Sequence, residues 1–152
     1  FIPGSVGNAL GDVVGNSLEV SYQSNGYVTL RNTVGSGTRY FYMPINTPAV
    51  LFGQNVTVEQ VTVYYDLSSA GSYIPDTTLP KQTGAGLTGA TNLYNSTANQ
   101  ISTTPASYSG TPINATLSST DGGLQLRLVL TFANTTDIIS IGGVRLRLGH
   151  TQ

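Results

Sequence analysis

The chain has 152 residues, of which 39% are hydrophobic and only 9% charged, and its net charge is −1. That length suits one domain with its own core, and the ordinary apolar content excludes a chain that stays disordered for lack of surface to bury. The scattered Lys and Arg make nucleic acid an unexpected partner, the absence of cysteine excludes disulfides and thiolate metal sites, and no apolar run reaches the ~20 residues of a membrane-spanning helix.

With so few charges, the surface must be covered by hydroxyls and amides. Such surfaces are common in secreted fibres, capsids and sugar-binding β-sandwiches. The expected location is therefore extracellular or at the cell surface.

Residues 1–16 differ from the rest. Phe1-Ile2-Pro3-Gly4 opens an apolar stretch with glycines at 7, 11 and 15. A helix there is weakened by ~1 kcal/mol per glycine. A strand or ordered arm of the chain's own domain is a second reading. A donor strand that leaves its own body and completes a neighbour's sheet is the third. In that reading Phe1, Ile2, Val6, Leu10, Val13 and Val14 are inter-subunit contacts, and the head-to-tail contact builds a filament because it does not close on itself.

Residues 17–152 read as an all-β domain, an antiparallel jelly-roll-like sandwich carrying the extended N-terminal arm. Leu18–Tyr22 and Tyr27–Asn32 are strands joined at Asn25-Gly26, a hairpin signal. Arg39–Met43 and Val56–Tyr65 follow; the inner face of the latter is ambiguous. From Asp66 to Gln100 the chain is rich in Ser, Thr, Gly and Pro, and reads as mostly loop with a short strand near Leu79. Ala106–Tyr108 and Ile113–Leu117 are short strands. Leu124–Phe132 is the clearest, with five apolar residues at period two. Ile138–Leu148 closes the series, and its Gly142-Gly143 predicts a bulge or tight turn.

The sequence is poor in catalytic chemistry. The sole histidine, His150, lies near the end of the sequence, where a base is badly positioned. A glycosidase needs two facing carboxylates; Glu19 and Glu59 are the candidate pair, with solvated positions or pairing to Arg31 and Arg39 as the plainer reading. A Ca²⁺ site from Asp66, Asp76 or Asp137 is an open alternative. No nucleophile or phosphate-binding motif occurs. We therefore expect a non-enzymatic protein without cofactor or metal.

Nine tyrosines dominate the aromatic set, and the chain has no tryptophan. Tyr40, Phe41 and Tyr42 are consecutive, as are Tyr64 and Tyr65, so each run puts rings on both faces of a strand. Outer tyrosines suit stacking on sugar rings, subunit interfaces or plain cross-strand packing. Asn55, Asn95, Asn114 and Asn134 each begin an Asn-x-Ser/Thr sequon and are candidate glycosylation sites.

The runs Phe41-Tyr42-Met43-Pro44-Ile45 and Val56 to Asp66, with the closing Ile141 to Leu148, resemble uncharacterised jelly-roll-like domains of secreted bacterial proteins. Together with the apolar arm, the chain also resembles subunits of extracellular fibrils assembled by strand donation. That resemblance implies a structural homopolymer whose partner is itself. The alternative is a carbohydrate-binding module or virus fibre head that meets glycans through exposed tyrosines and the segment Ser68 to Gln100.

Overall fold

The computed structural model of the chain describes residues 2–3, 8–9, 17–83, 89–113, 115–121 and 123–150. These residues contain strands and no helix. The strands are β1 (Ile2–Pro3), β2 (Asn8–Ala9), β3 (Leu18–Tyr22), β4 (Val28–Asn32), β5 (Gly37–Ile45), β6 (Val50–Leu51), β7 (Gln54–Leu67), β8 (Tyr73–Gln82), β9 (Ala90–Ser96), β10 (Ala106–Gly110), β11 (Leu124–Phe132) and β12 (Ile138–His150).

They form two antiparallel sheets. One is seven-stranded, in the order β10-β7-β12-β4-β3, with β1 beside β12 and β6 beside β7; the other is five-stranded, in the order β2-β5-β11-β8-β9. One core fills the space between them. Phe41, Met43, Leu126, Leu128 and Leu130 from the five-stranded sheet share it with Val28, Leu30, Val63, Ile139 and Ile141 from the other. Strand β11 shows the cause most simply. Its even-numbered residues from Leu124 to Phe132 are buried and the residues between them are half-buried.

The expected bulge at Gly142-Gly143 is present. The pairing of β12 with β7 shifts between Ile141 and Gly143, and again between Arg147 and Leu148. The second shift explains why β7 has no single alternating pattern. Gln60 pairs with Arg147 and Val58 with Leu148, so one extra residue separates Val56 and Val58 from Val61, Val63, Tyr65 and Leu67. All six nevertheless face the core. The β3–β4 connection is a β-turn from Gln23 to Gly26, with Gly26 at φ 90°, longer than a two-residue hairpin.

Two expectations need correcting. The stretch from Asp66 to Gln100 contains β8 and β9. Its prolines do not prevent this, because Pro80 sits where the β8–β9 register shifts, and such irregularities tolerate a missing N–H. The described residues of 113–117 form no strand; Thr116 makes an isolated bridge to Thr57, while Ala115 and Leu117 are buried in the core.

The arm also differs from the donor-strand expectation. Ile2 pairs with Val144 and Pro3 with Gly143, both on this chain's own β12. Asn8 pairs with Tyr42 and Ala9 with Phe41 on its own β5. Each pairing satisfies backbone groups that a bare strand edge would leave open. Phe1, Val6, Leu10, Val13 and Val14 lie outside the described residues.

Two polar anchors hold the loops. Ser72 Oγ donates to the buried Asp137 carboxylate at 2.8 Å and accepts from the Ala133 N–H at 3.1 Å. Lys81 Nζ meets Asp121 Oδ2 and donates to the Thr116 carbonyl, each at 3.0 Å, and the Ser118 N–H donates to the same carboxylate at 2.7 Å. Burial pushes the Asp121 pKa up, but the bonds from Lys81 and Ser118 outweigh it and hold it below the ordinary value. A depressed carboxylate stabilises the fold above its unfolded pKa of roughly 3.9, and the benefit is lost as pH falls through the folded value. The stability difference between the wild type and Asp121→Asn should therefore be present at pH 7 and shrink below about pH 4, as read by urea unfolding. A difference that stays constant down to pH 2 would exclude this role.

Candidate functional site

The outer face of the five-stranded sheet gathers aromatic and polar side chains in rows. Within β5, Phe41 and Met43 point into the core, which turns Tyr40 and Tyr42 outward. Two residues along a strand separate these rings by about 6.5–7 Å. Tyr40 is 46% exposed and Tyr42 is half-buried. Cross-strand register continues each row. Arg127 of β11 pairs with Tyr42 on one side and Thr78 of β8 on the other, and Thr78 pairs with Asn95 of β9. Val129 likewise lies between Tyr40 and Asp76. Three strand spacings make the row from Tyr42 to Asn95 about 14 Å long.

The polar members are held by one another. Arg127 Nη2 donates to Asp76 Oδ1 at 3.1 Å and to Thr78 Oγ1 at 3.0 Å. Thr78 Oγ1 donates to Asp76 Oδ1 at 2.9 Å and lies 3.5 Å from Asn95 Oδ1. The Arg127 Nε is buried without a hydrogen-bond partner. These bonds use one oxygen of Asp76 and one terminal nitrogen of Arg127. Planar forks of this kind match paired hydroxyls, and their fixed geometry limits the ordering cost on binding.

The outer face of the seven-stranded sheet carries a different feature, an open cleft of about 570 Å³. Tyr27, Tyr64, Asp66, Ser107, Ser140 and Gly142 contribute to its lining. Tyr64 pairs with Ser107 on one side and Gly143 on the other. Both of these neighbours are small, and Gly142 beside them also lines the cleft without a side chain to fill it. Beneath this face, Tyr65 and Tyr108 make an edge-to-face contact with ring centroids 5.6 Å apart. Burial raises the Tyr108 hydroxyl pKa above the phenol range, although its bond to Thr77 Oγ1 at 2.6 Å acts in the opposite sense.

The carboxylates considered for catalysis do not meet. Glu19 pairs with Arg31, and Glu59 pairs with Arg147 at 3.0 Å. Strands β4 and β12 lie between β3 and β7, so three strand spacings alone put the two at least about 14 Å apart, against the ~5–9.5 Å of glycosidase pairs. Asp66, Asp76 and Asp137 sit on β7, on β8 and in the β11–β12 loop, and no group of three or more metal-binding side chains occurs among the described residues. His150 ends β12 and is exposed. Of the sequon asparagines, Asn55 and Asn95 are exposed on β7 and β9 and Asn134 in a loop; Asn114 lies outside the described residues.

No protein-family model matches the sequence, and no curated protein aligns with it. Solved structures share the fold. A structure described as "CBM4 structure and function" superposes with a TM-score of 0.53 at 13% identity, covering 97% of this chain and 95% of that one. The CBM22-1–GH10 modules of Clostridium thermocellum endo-1,4-β-D-xylanase 10B, complexed with xylohexaose, superpose with a TM-score of 0.55 at 13% identity, covering 99% of this chain and 28% of that one. The jelly-roll-like sandwich is thus the fold of this chain.

These likenesses correct the fibril-subunit expectation. The neighbours are carbohydrate-binding modules, and the strands of the arm that would mediate head-to-tail assembly pair within their own chain. Nothing among the described residues supports a self-assembling filament. No described helix is long and apolar enough to cross a membrane.

Proposed function

We propose that this chain is a non-catalytic carbohydrate-binding module, acting outside the cell, that holds a polysaccharide across the outer face of its five-stranded sheet. One observation carries the reading: Tyr40 and Tyr42 stand side by side on β5, each in a cross-strand row that includes a member of the Arg127–Asp76–Thr78–Asn95 network. Sugar rings have apolar faces edged by hydroxyls. Tyrosine rings receive the first and polar forks the second. The CBM22-1–GH10 structure, 28% of which this chain matches, was solved in complex with xylohexaose, and an extended polymer is the ligand class we propose.

The site has no acid–base pair and asks for none, since binding alone requires only complementary surface. A panel of soluble polysaccharides run through affinity gels tests the proposal. Retardation by at least one polymer, lost in a Tyr40→Ala/Tyr42→Ala variant that still folds, is the expected result. Retardation that survives in that variant would place the site elsewhere.

A further inference from the structure

We infer that the cleft on the seven-stranded sheet is a second binding site, and that it takes a protonated amino sugar. The argument starts from charge. The chain has seven carboxylates, and Asp12 lies outside the described residues. Glu19, Glu59, Asp76 and Asp121 are ion-paired, and Asp137 is hydrogen-bonded to Ser72 and to the Asn134 N–H. The Asp66 carboxylate alone has no hydrogen bond or ion pair among the described residues, although the residue is half-buried in the cleft wall.

Among the described residues, no Lys or Arg is ion-paired with it. Asp66 pairs in register with Ser140. Arg145 pairs with Thr62, four residues further along β7, about 13 Å away by strand rise, beyond the screening length of roughly 8–10 Å. Arg31 lies two strands across on β4 and is engaged with Glu19. A half-buried carboxylate left unpaired beside tyrosine rings is the arrangement that an ammonium group completes. The rings attract it through their faces and the carboxylate through its charge.

The remaining lining sets the rest of the ligand. Ser107 and Ser140 offer hydroxyls that accept from N–H and O–H groups, which a quaternary ammonium cannot use on its nitrogen. Tyr64 and Tyr27 offer apolar ring area for a pyranose. About 570 Å³ lies within the range of small-ligand pockets. An amine carried on a sugar ring uses all of these groups.

The site lies on the sheet opposite the Tyr40–Tyr42 face, so the two claims fail separately. Calorimetric titration of the protein with a trimer of β-1,4-linked glucosamine, at low salt and a pH that keeps the amines protonated, is the test. The trimer should bind at least tenfold more tightly than its N-acetylated counterpart, and more tightly than choline. Asp66→Asn should weaken it at least tenfold, and Gly142→Leu should block it by filling the cleft, both with wild-type unfolding temperature; Tyr40→Ala/Tyr42→Ala should leave it unchanged. Equal affinity for the acetylated trimer, choline binding as tight as the trimer, or wild-type affinity in Asp66→Asn would each overturn the inference.

Discussion

Tyr42→Ala is expected to weaken polysaccharide binding by about tenfold or more while leaving the fold essentially as stable as the wild type. A buried aromatic anchor at the centre of a contact typically accounts for ~2 kcal/mol or more when truncated, and 1.4 kcal/mol is already tenfold in affinity. In the proposed site Tyr42 takes that place, opposite Arg127, the residue through which Asp76 and Thr78 are also tied. Its ring faces outward and half-exposed, away from the core. Its removal therefore takes little from folding, within about 0.5–1 kcal/mol for a position of this kind. Calorimetric titration and urea unfolding of the same preparation separate the two effects. A loss of affinity matched by an equal loss of stability would show that Tyr42 supports the sheet and not the ligand.

Its neighbour should behave in the opposite way. Phe41 is fully buried and pairs with Leu128 on the core side of β5. Phe41→Ala is expected to cost about 3–5 kcal/mol, from lost burial and the cavity left behind. That is a large share of the ~5–15 kcal/mol that holds a typical domain together. Sugar affinity per folded molecule should change far less, because the polar rows are built on β8, β9 and β11 as well as β5. The measurement is the urea midpoint at constant slope. A change under 1 kcal/mol would mean that the core around Phe41 refills.

The contrast between adjacent residues was legible in the sequence, because period two is a property of any extended strand. Strand β11 was visible for the same reason, with no bulge to interrupt it. Strand β7 was only half legible: its alternation is broken near Glu59 by a bulge against β12, and a bulge depends on the partner's register rather than on local sequence. Of strands β8 and β9 only a short piece near Leu79 was legible, because Pro75, Pro80 and a run of Ser, Thr and Asn have low strand propensity. Their core contacts, through Ile74, Leu79 and Leu93, decide the matter instead.

That miss also hid the candidate site. Tyr40 and Tyr42 could be read as outward rings, but Asp76, Thr78 and Asn95 sat in what looked like loop, and their meeting with Arg127 is a fact of strand order. Nothing local in the sequence says that β8 lies between β11 and β9. The cleft was hidden in the same way. Gly142-Gly143 was readable as a bulge, yet its proximity to Tyr64 and Asp66 comes from pairing between segments about 80 residues apart. The arm misled for the converse reason. Small apolar residues suit insertion into any sheet, and only the observed pairing of Ile2 with Val144 and Asn8 with Tyr42 identifies whose sheet it is.

Everything proposed for the five-stranded sheet reduces to contact between its aromatic rows and a sugar polymer. Chemical-shift mapping during titration with xylohexaose and with a set of other neutral hexasaccharides probes that contact at each residue. The account predicts that for at least one of them the largest shifts fall on Tyr40, Tyr42, Asp76, Thr78, Asn95 and Arg127. Saturable shifts confined to the opposite sheet, or none with any oligosaccharide at millimolar concentration, would contradict it.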